Sequence, residues 1–175
     1  MNKESAIQYL IYKHHNNGIV LPNIHTDVYG GSEVDAMYLT NTNRAYFYEI
    51  KCSKSDFKND FKKKRHKLLL RRSEAVNIKP KYFYYVCYGF SINIEEIPEY
   101  AGLILCDKNG LQVYPVAKKA PLLWKEPLTA SNLAFINKKI LYRYLNNKYL
   151  DGYEDWKIIM NEENKKEKRI NYDLF

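Results

Sequence analysis

Apolar and polar positions change period several times along the chain, and each change marks an element. In "KESAIQYLIYKHH" the apolar residues recur at helical spacing. This puts Ile7, Leu10, Ile11 and His14 on one face, with Asn16-Asn17-Gly18 as the stop. "GIVLPNIHTDVYG" reads as a strand-like run broken by Pro22 and closed by Gly30-Gly31. "SEVDAMYLT" and "RAYFYEIKC" flank "NTN" as the two strands of a hairpin. Ser53, with Asp56 three residues later, matches a helix-capping pattern, and Phe57, Phe61, Leu68 and Leu69 give that helix an apolar side.

"KYFYYVCY", Lys81 to Tyr88, has the aromatic and β-branched content of a strand. "AGLILCDKNGLQVYPV" predicts a second hairpin around Asp107-Lys108-Asn109-Gly110. "PLTASNLAFINKKILYRYLNNKYL" predicts a helix capped by Thr129 or Ser131, with Leu133, Ile136, Ile140 and Tyr144 facing inward. The order is therefore α-β-β-β-α-β followed by a C-terminal hairpin and helices, an α/β (α+β) domain on a mixed sheet. Neither a repeat nor a linker divides it. The expectation is one domain over residues 1–160 and a charged tail over 161–175.

A chain of 175 residues is the size of one ordinary domain, and its 46% apolar and 27% charged content is that of a globular protein. No apolar run approaches the ~20 residues that span a bilayer, and "MNKESAIQYL" has no secretory h-region. The expectation is a cytoplasmic protein without a membrane partner. Cys52, Cys87 and Cys106 lack metal-ligand spacing and read as reduced structural thiols. Charge changes the picture more. The net charge is +8, and "KNDFKKKRHKLLLRR" (Lys58 to Arg72) carries eight Lys or Arg against one Asp. Such clustering points to a polyanion, nucleic acid above all.

The hairpin holds the candidate chemistry. Residues two apart share a face, so Glu49 lies beside Lys51 and Glu33 beside Asp35. With Asn41-Thr42-Asn43 as the loop, Thr40 faces Arg44, and counting back sets Asp35 opposite Glu49, their Cβ atoms about 5 Å apart. A two-residue loop would send the acids to opposite faces. Two close carboxylates repel unless a cation lies between them. Their hard oxygens suit Mg²⁺ or Mn²⁺, and the neighbouring Lys51 can orient or activate a water. That is the equipment of metal-dependent phosphodiester hydrolysis.

Asp35, thirteen intervening residues and Glu49-Ile50-Lys51 resemble the signature of the PD-(D/E)XK, or restriction-endonuclease-like, nuclease superfamily. "EIKCSKSDFKNDFKK", "KYFYYVCY" and "IPEYAGLILCDKNGLQV" are similar to its MmcB-like DNA-repair group. The signature match spans roughly residues 1–88 and the wider one reaches about residue 125. The resemblance implies an αβββαβ core and a nuclease acting on DNA, in repair or recombination or in a phage or mobile-element role. It implies Asp35, Glu49 and the Ile50 carbonyl as ligands of Mg²⁺ or Mn²⁺, and Lys51 as catalytic. Val34 stands where the signature has proline, which leaves open a contribution from Glu33. Glu4 is a further candidate acid.

Lys54, Lys58, Lys62 and Arg65, on the helix after the E-x-K strand, are candidate phosphate contacts. Asp56 and Asp60 read as cap and helix-stabilising groups. His25 and His66 read as structural or surface residues. "HHNN" (His14 to Asn17) lacks the ββα pattern of an HNH nuclease. The tyrosines of "YFYYVCY" read first as packing, although they offer base-stacking surface. The bland alternative for Asp35, Glu49 and Lys51 is an ion-pair trio on a solvated sheet face. Two rival functions stay open: a non-catalytic nucleic-acid-binding module, and a protein that engages a host-defence partner. Monomer and homodimer are both compatible with the sequence.

Overall fold

The computed structural model describes residues 3–15, 17–26, 33–71, 73, 76–106 and 116–151, excluding the side chains of 64, 65, 70 and 149–151. Its elements are α1 (Lys3–His14), β1 (Gly18–His25), β2 (Glu33–Thr40), β3 (Ala45–Lys51), α2 (Lys54–Asp60), α3 (Lys64–Leu70), β4 (Pro80–Tyr88), β5 (Gly102–Cys106) and α4 (Ala130–Asp151). The strands form one mixed sheet in the order β1-β2-β3-β4-β5. Strands β1, β2 and β3 are antiparallel neighbours, and β3, β4 and β5 run parallel. The mixed α/β class expected from the sequence is thus the class observed. Contacts divide the chain into Met1–Leu133 and Ala134–Phe175. The sheet, α1 to α3 and every candidate site residue belong to the first unit.

The hairpin turn has the predicted parity. Asn43 N–H donates to Thr40 O at 2.9 Å and Thr40 N–H to Arg44 O at 3.0 Å. Asn43 takes a left-handed backbone (φ 56°), which a short amide side chain tolerates better than most. Ala36 then faces Tyr48, Met37 faces Phe47, Tyr38 faces Tyr46 and Leu39 faces Ala45.

Alternation sorts these strands into two faces. Ala36, Tyr38, Tyr48 and Ile50, with Val86 and Ile104, pack against Ile7 and Ile11 of α1. The other face carries Met37, Phe47, Phe83 and Tyr85, all at most 1% exposed. It is covered by Phe57 of α2, whose ring centroid lies 5.0 Å from that of Tyr85. Each such side chain contributes roughly 1.5–3 kcal/mol by burial. "YFYYVCY" is therefore a packed strand, with Phe83 and Tyr85 at its buried positions.

Several expectations change. Strand β1 runs through Pro22, which still faces Ala36; as an edge strand it tolerates a missing donor. His14 is exposed and α1 buries Ile7 and Ile11 alone. The helix after Ser53 is two helices, because Lys63 is extended (ψ 135°) between them. An unbroken helix buried at Phe57 would turn position 64, a lysine, inward two turns later. The break instead brings His66 and Leu69 to the buried side. In α4, Thr129 Oγ1 accepts from Asn132 N–H at 3.2 Å as the expected cap. Ile136 is buried there, but Ile140 and Tyr144 are exposed. Apolar spacing gives a face to a helix without saying where its cover ends. Strand β5 matches the first arm of the second predicted hairpin, whose turn at 107–110 lies outside the described residues. The charged tail over 161–175 lies outside them too. Cys52, Cys87 and Cys106 are free thiols.

Candidate metal centre

The ladder between β2 and β3 closes at Ala36 opposite Tyr48. One step further, where Asp35 comes level with Glu49, a side chain takes over from the main chain. Ile50 N–H donates to Asp35 Oδ2 at 2.6 Å. Within an extended strand the N–H and C=O of one residue point to the same side. The Ile50 carbonyl therefore faces the same strand edge as Asp35. Glu49 and Lys51 leave β3 on the α2 side and are 1% and 3% exposed. Glu49 and Lys51 therefore do not lie on a solvated sheet face, while Asp35 is half-buried.

What surrounds Glu49 is a closed ring of charge. Lys51 Nζ lies 2.9 Å from Glu49 Oε1 and 3.0 Å from Asp60 Oδ1. Lys63 Nζ lies 3.1 Å from that same Glu49 oxygen and 2.6 Å from that same Asp60 oxygen. Two carboxylates and two ammoniums thus alternate. The other Asp60 oxygen is held as well. His66 Nε2 lies 2.6 Å from Oδ2, off the line of a hydrogen bond, and Tyr85 OH donates to Oδ2 at 3.2 Å. His66 Nδ1 in turn meets Tyr100 OH at 2.6 Å.

The two sides of the site differ electrostatically. Burial and then the Glu49 charge push Asp35 up to about 7, against the pull of the Ile50 N–H and of Lys51. Burial would raise Asp60 too, but the His66 ring, Lys63 and Lys51 hold it well below the ordinary carboxylate range. Burial works against the Lys51 ammonium, and Glu49 and Asp60 overcome it and raise its pKa. Asp60 is a compensated acid, whereas Asp35 is one whose ionisation the protein leaves under-compensated.

That imbalance tests whether a divalent cation fits. Asp35 and Glu49 offer carboxylate oxygens and Ile50 a carbonyl, all hard donors suited to Mg²⁺ or Mn²⁺. A shared cation would relieve the burial and repulsion that oppose Asp35 ionisation. Among the described residues no three His, Cys, Asp or Glu side chains converge as a metal-ligand group. Two carboxylates and one main-chain oxygen are donor types that suit a cation keeping water in its remaining positions.

The other sequence-predicted residues divide. Glu4 is tied to the site through Gln8, whose Nε2 donates to Glu4 Oε1 at 3.2 Å and to Asp35 O at 2.8 Å. Glu33 instead faces His25 across β1, 3.6 Å from its Nε2. Lys54 pairs with Glu96 at 3.3 Å, and Lys62 Nζ donates to Asn59 Oδ1 at 3.0 Å. Lys58 is exposed, and the side chain of Arg65 lies outside the described residues. Ser53 caps α2 as expected, accepting from Asp56 N–H at 3.1 Å.

Asp60 departs from expectation, being the hub of the ring. Lys63 and His66 also escaped sequence reading as site residues. The available signal was the spacing from Asp60 to His66, which pairs only once the helix is broken at Lys63.

Comparison with known proteins adds the fold and nothing about function. No family model and no curated protein matches the chain. Among solved structures it is similar to the SPO1766 protein of unknown function from Silicibacter pomeroyi, with a TM-score of 0.57 and 14% identity. The match covers 85% of this chain and 90% of that one.

Proposed function

We propose that the protein is a nuclease of the restriction-endonuclease-like kind, hydrolysing DNA phosphodiester bonds with Mg²⁺ or Mn²⁺ held by Asp35, Glu49 and the Ile50 carbonyl. The observation that carries this reading is the 2.6 Å bond from Ile50 N–H to Asp35 Oδ2. It ties the first acid to the E-x-K strand at the step where the ladder ends. A bound divalent cation supplies Lewis acidity toward the phosphodiester and lowers the pKa of a water.

The chain's own groups supply the rest. Lys51 offers a fixed positive charge that can orient the attacking water and offset the charge that develops on the phosphoryl oxygens. Asp60 positions Lys51 by holding Nζ at 3.0 Å. Lys58 and Lys62, on the exposed side of α2 and in the turn after it, offer phosphate contacts that fix register without reading bases. The net charge of +8 favours a polyanionic substrate.

The test is a cleavage screen over duplex, branched and single-stranded DNA, and RNA, with Mg²⁺ and with Mn²⁺. Divalent-dependent cleavage is expected, falling at least about 10³-fold in Asp35→Ala, Glu49→Ala and Lys51→Ala, the scale of losing electrostatic transition-state stabilisation. Unchanged cleavage in all three variants would remove the assignment.

One observation favours a second reading. The ring of Glu49, Lys51, Asp60 and Lys63 satisfies its charges internally, which a non-cleaving nucleic-acid-binding module would retain for stability alone. Calorimetry separates the two. Mg²⁺ or Mn²⁺ binding that depends on Asp35 and Glu49 belongs to the nuclease, and DNA binding indifferent to both belongs to the module.

A further inference from the structure

Two ammoniums share the same oxygen of Glu49, and they differ in access. The Lys51 side chain is 4% exposed and leaves a central strand, whereas that of Lys63 is 53% exposed and leaves the turn between α2 and α3. A carboxylate that ligates a divalent cation cannot keep two ammoniums at contact distance without like-charge repulsion. The ammonium that leaves at least cost is the one with a long stem in water.

We infer that Lys63 is a tethered counter-ion that holds Glu49 until a divalent cation takes the carboxylate, and that its released ammonium then meets a substrate phosphate. The inference rests on the cation-site reading above and deepens it. Lys63 is suited to both positions, because an ammonium binds either a carboxylate or a phosphate as a compact point charge. The backbone of Lys63 stays fixed in the turn that ends α2, its N–H on Asp60 O at 3.0 Å, and the exchange needs only its exposed side-chain stem to swing. Lys51 remains with Glu49 and Asp60 throughout, so the catalytic charge is not displaced.

The experiment is calorimetric titration of Mn²⁺ into the full chain without nucleic acid, comparing wild type, Lys63→Met and Glu49→Gln. Lys63→Met keeps an apolar stem and should bind Mn²⁺ about tenfold more tightly, within the usual range of coupled sites. Binding seen only in Lys63→Met also supports the inference. Equal or weaker binding in Lys63→Met, with wild-type binding lost in Glu49→Gln, overturns the Lys63 role and leaves the metal site intact. No Mn²⁺ binding by wild type or Lys63→Met overturns both.

Trace acylation read by mass spectrometry needs no variant. Saturating Mn²⁺ should raise labelling of Lys63 several-fold relative to Lys58, and an unchanged ratio in the metal-loaded protein overturns the release. For the phosphate half, the slope of log affinity for DNA against log salt, measured with non-hydrolysing Ca²⁺, should become shallower by about one in Lys63→Met. The same change without divalent cation overturns the handover.

Discussion

Asp60 engages two ammoniums, an imidazole and a phenol with one carboxylate. Removing it leaves Lys51 buried with Glu49 alone and leaves His66 facing an unfilled acceptor position. Asp60→Ala is therefore expected to cost about 3 kcal/mol in urea unfolding, the low end for breaking a buried ion pair. A loss under about 1 kcal/mol would mean that the ring does not hold the fold. The pH dependence has a definite sign. The folded pKa of Asp60 lies below its ordinary value of 3.8, so the ionised group stabilises the fold above about pH 4. That contribution drains away as pH falls toward the lowered pKa, since the unfolded chain there binds the extra proton. Asp60→Asn should flatten this acid limb of the stability curve, measured by thermal unfolding between about pH 2 and 5. Asp35, Glu49 and Lys51 were legible in the sequence because alternation and a turn of known parity suffice to place them. Asp60, Lys63 and His66 were not, because their meeting depends on a helix break that local spacing conceals.

At the scale of elements, the hairpin turn sets which acid meets which. Asn43 sits in the left-handed region, so Asn43→Val should destabilise by about 1 kcal/mol while Asn43→Gly stays within about 0.5 kcal/mol of wild type. Equal effects of the two substitutions in urea unfolding would mean that the turn adopts another backbone. The strands that flank this turn, the capped start of α2 and the strand "KYFYYVCY" were all readable from period and turn chemistry. The single helix read from Ser53 onward was not correct, although its apolar residues were well chosen. Phe57 and Leu69 are both buried, yet a 3.6-residue period carried across Lys63 sets them about 120° apart on one helix, and the break is what brings both to the buried side. The continuity of β1 through Pro22 likewise depends on its position at the sheet edge, which topology decides and the segment alone does not.

The molecule as a whole separates two chemistries across one sheet. On the α1 side, Tyr38, Tyr46 and Tyr48 pack around His15, whose ring stacks on Tyr38 at 3.7 Å, and Tyr84 stacks on Tyr48. On the α2 and α3 side, buried aromatic rings give way at Glu49 and Lys51 to the charged ring. The α/β class was legible because period changes along the chain mark strands and helices, although one predicted helix is two. Which face would carry buried charge followed from the hairpin register alone. Among the described residues, no helix is long and apolar enough to cross a membrane.

The central claim is that the hairpin register builds one divalent-cation site. Its most direct measurement is anomalous diffraction from crystals soaked in Mn²⁺. One peak is predicted within coordination distance of the Asp35 and Glu49 carboxylates and the Ile50 carbonyl, and it should be absent from Asp35→Ala crystals. Mn²⁺ bound elsewhere only, or a peak at this position that survives in Asp35→Ala, would contradict it.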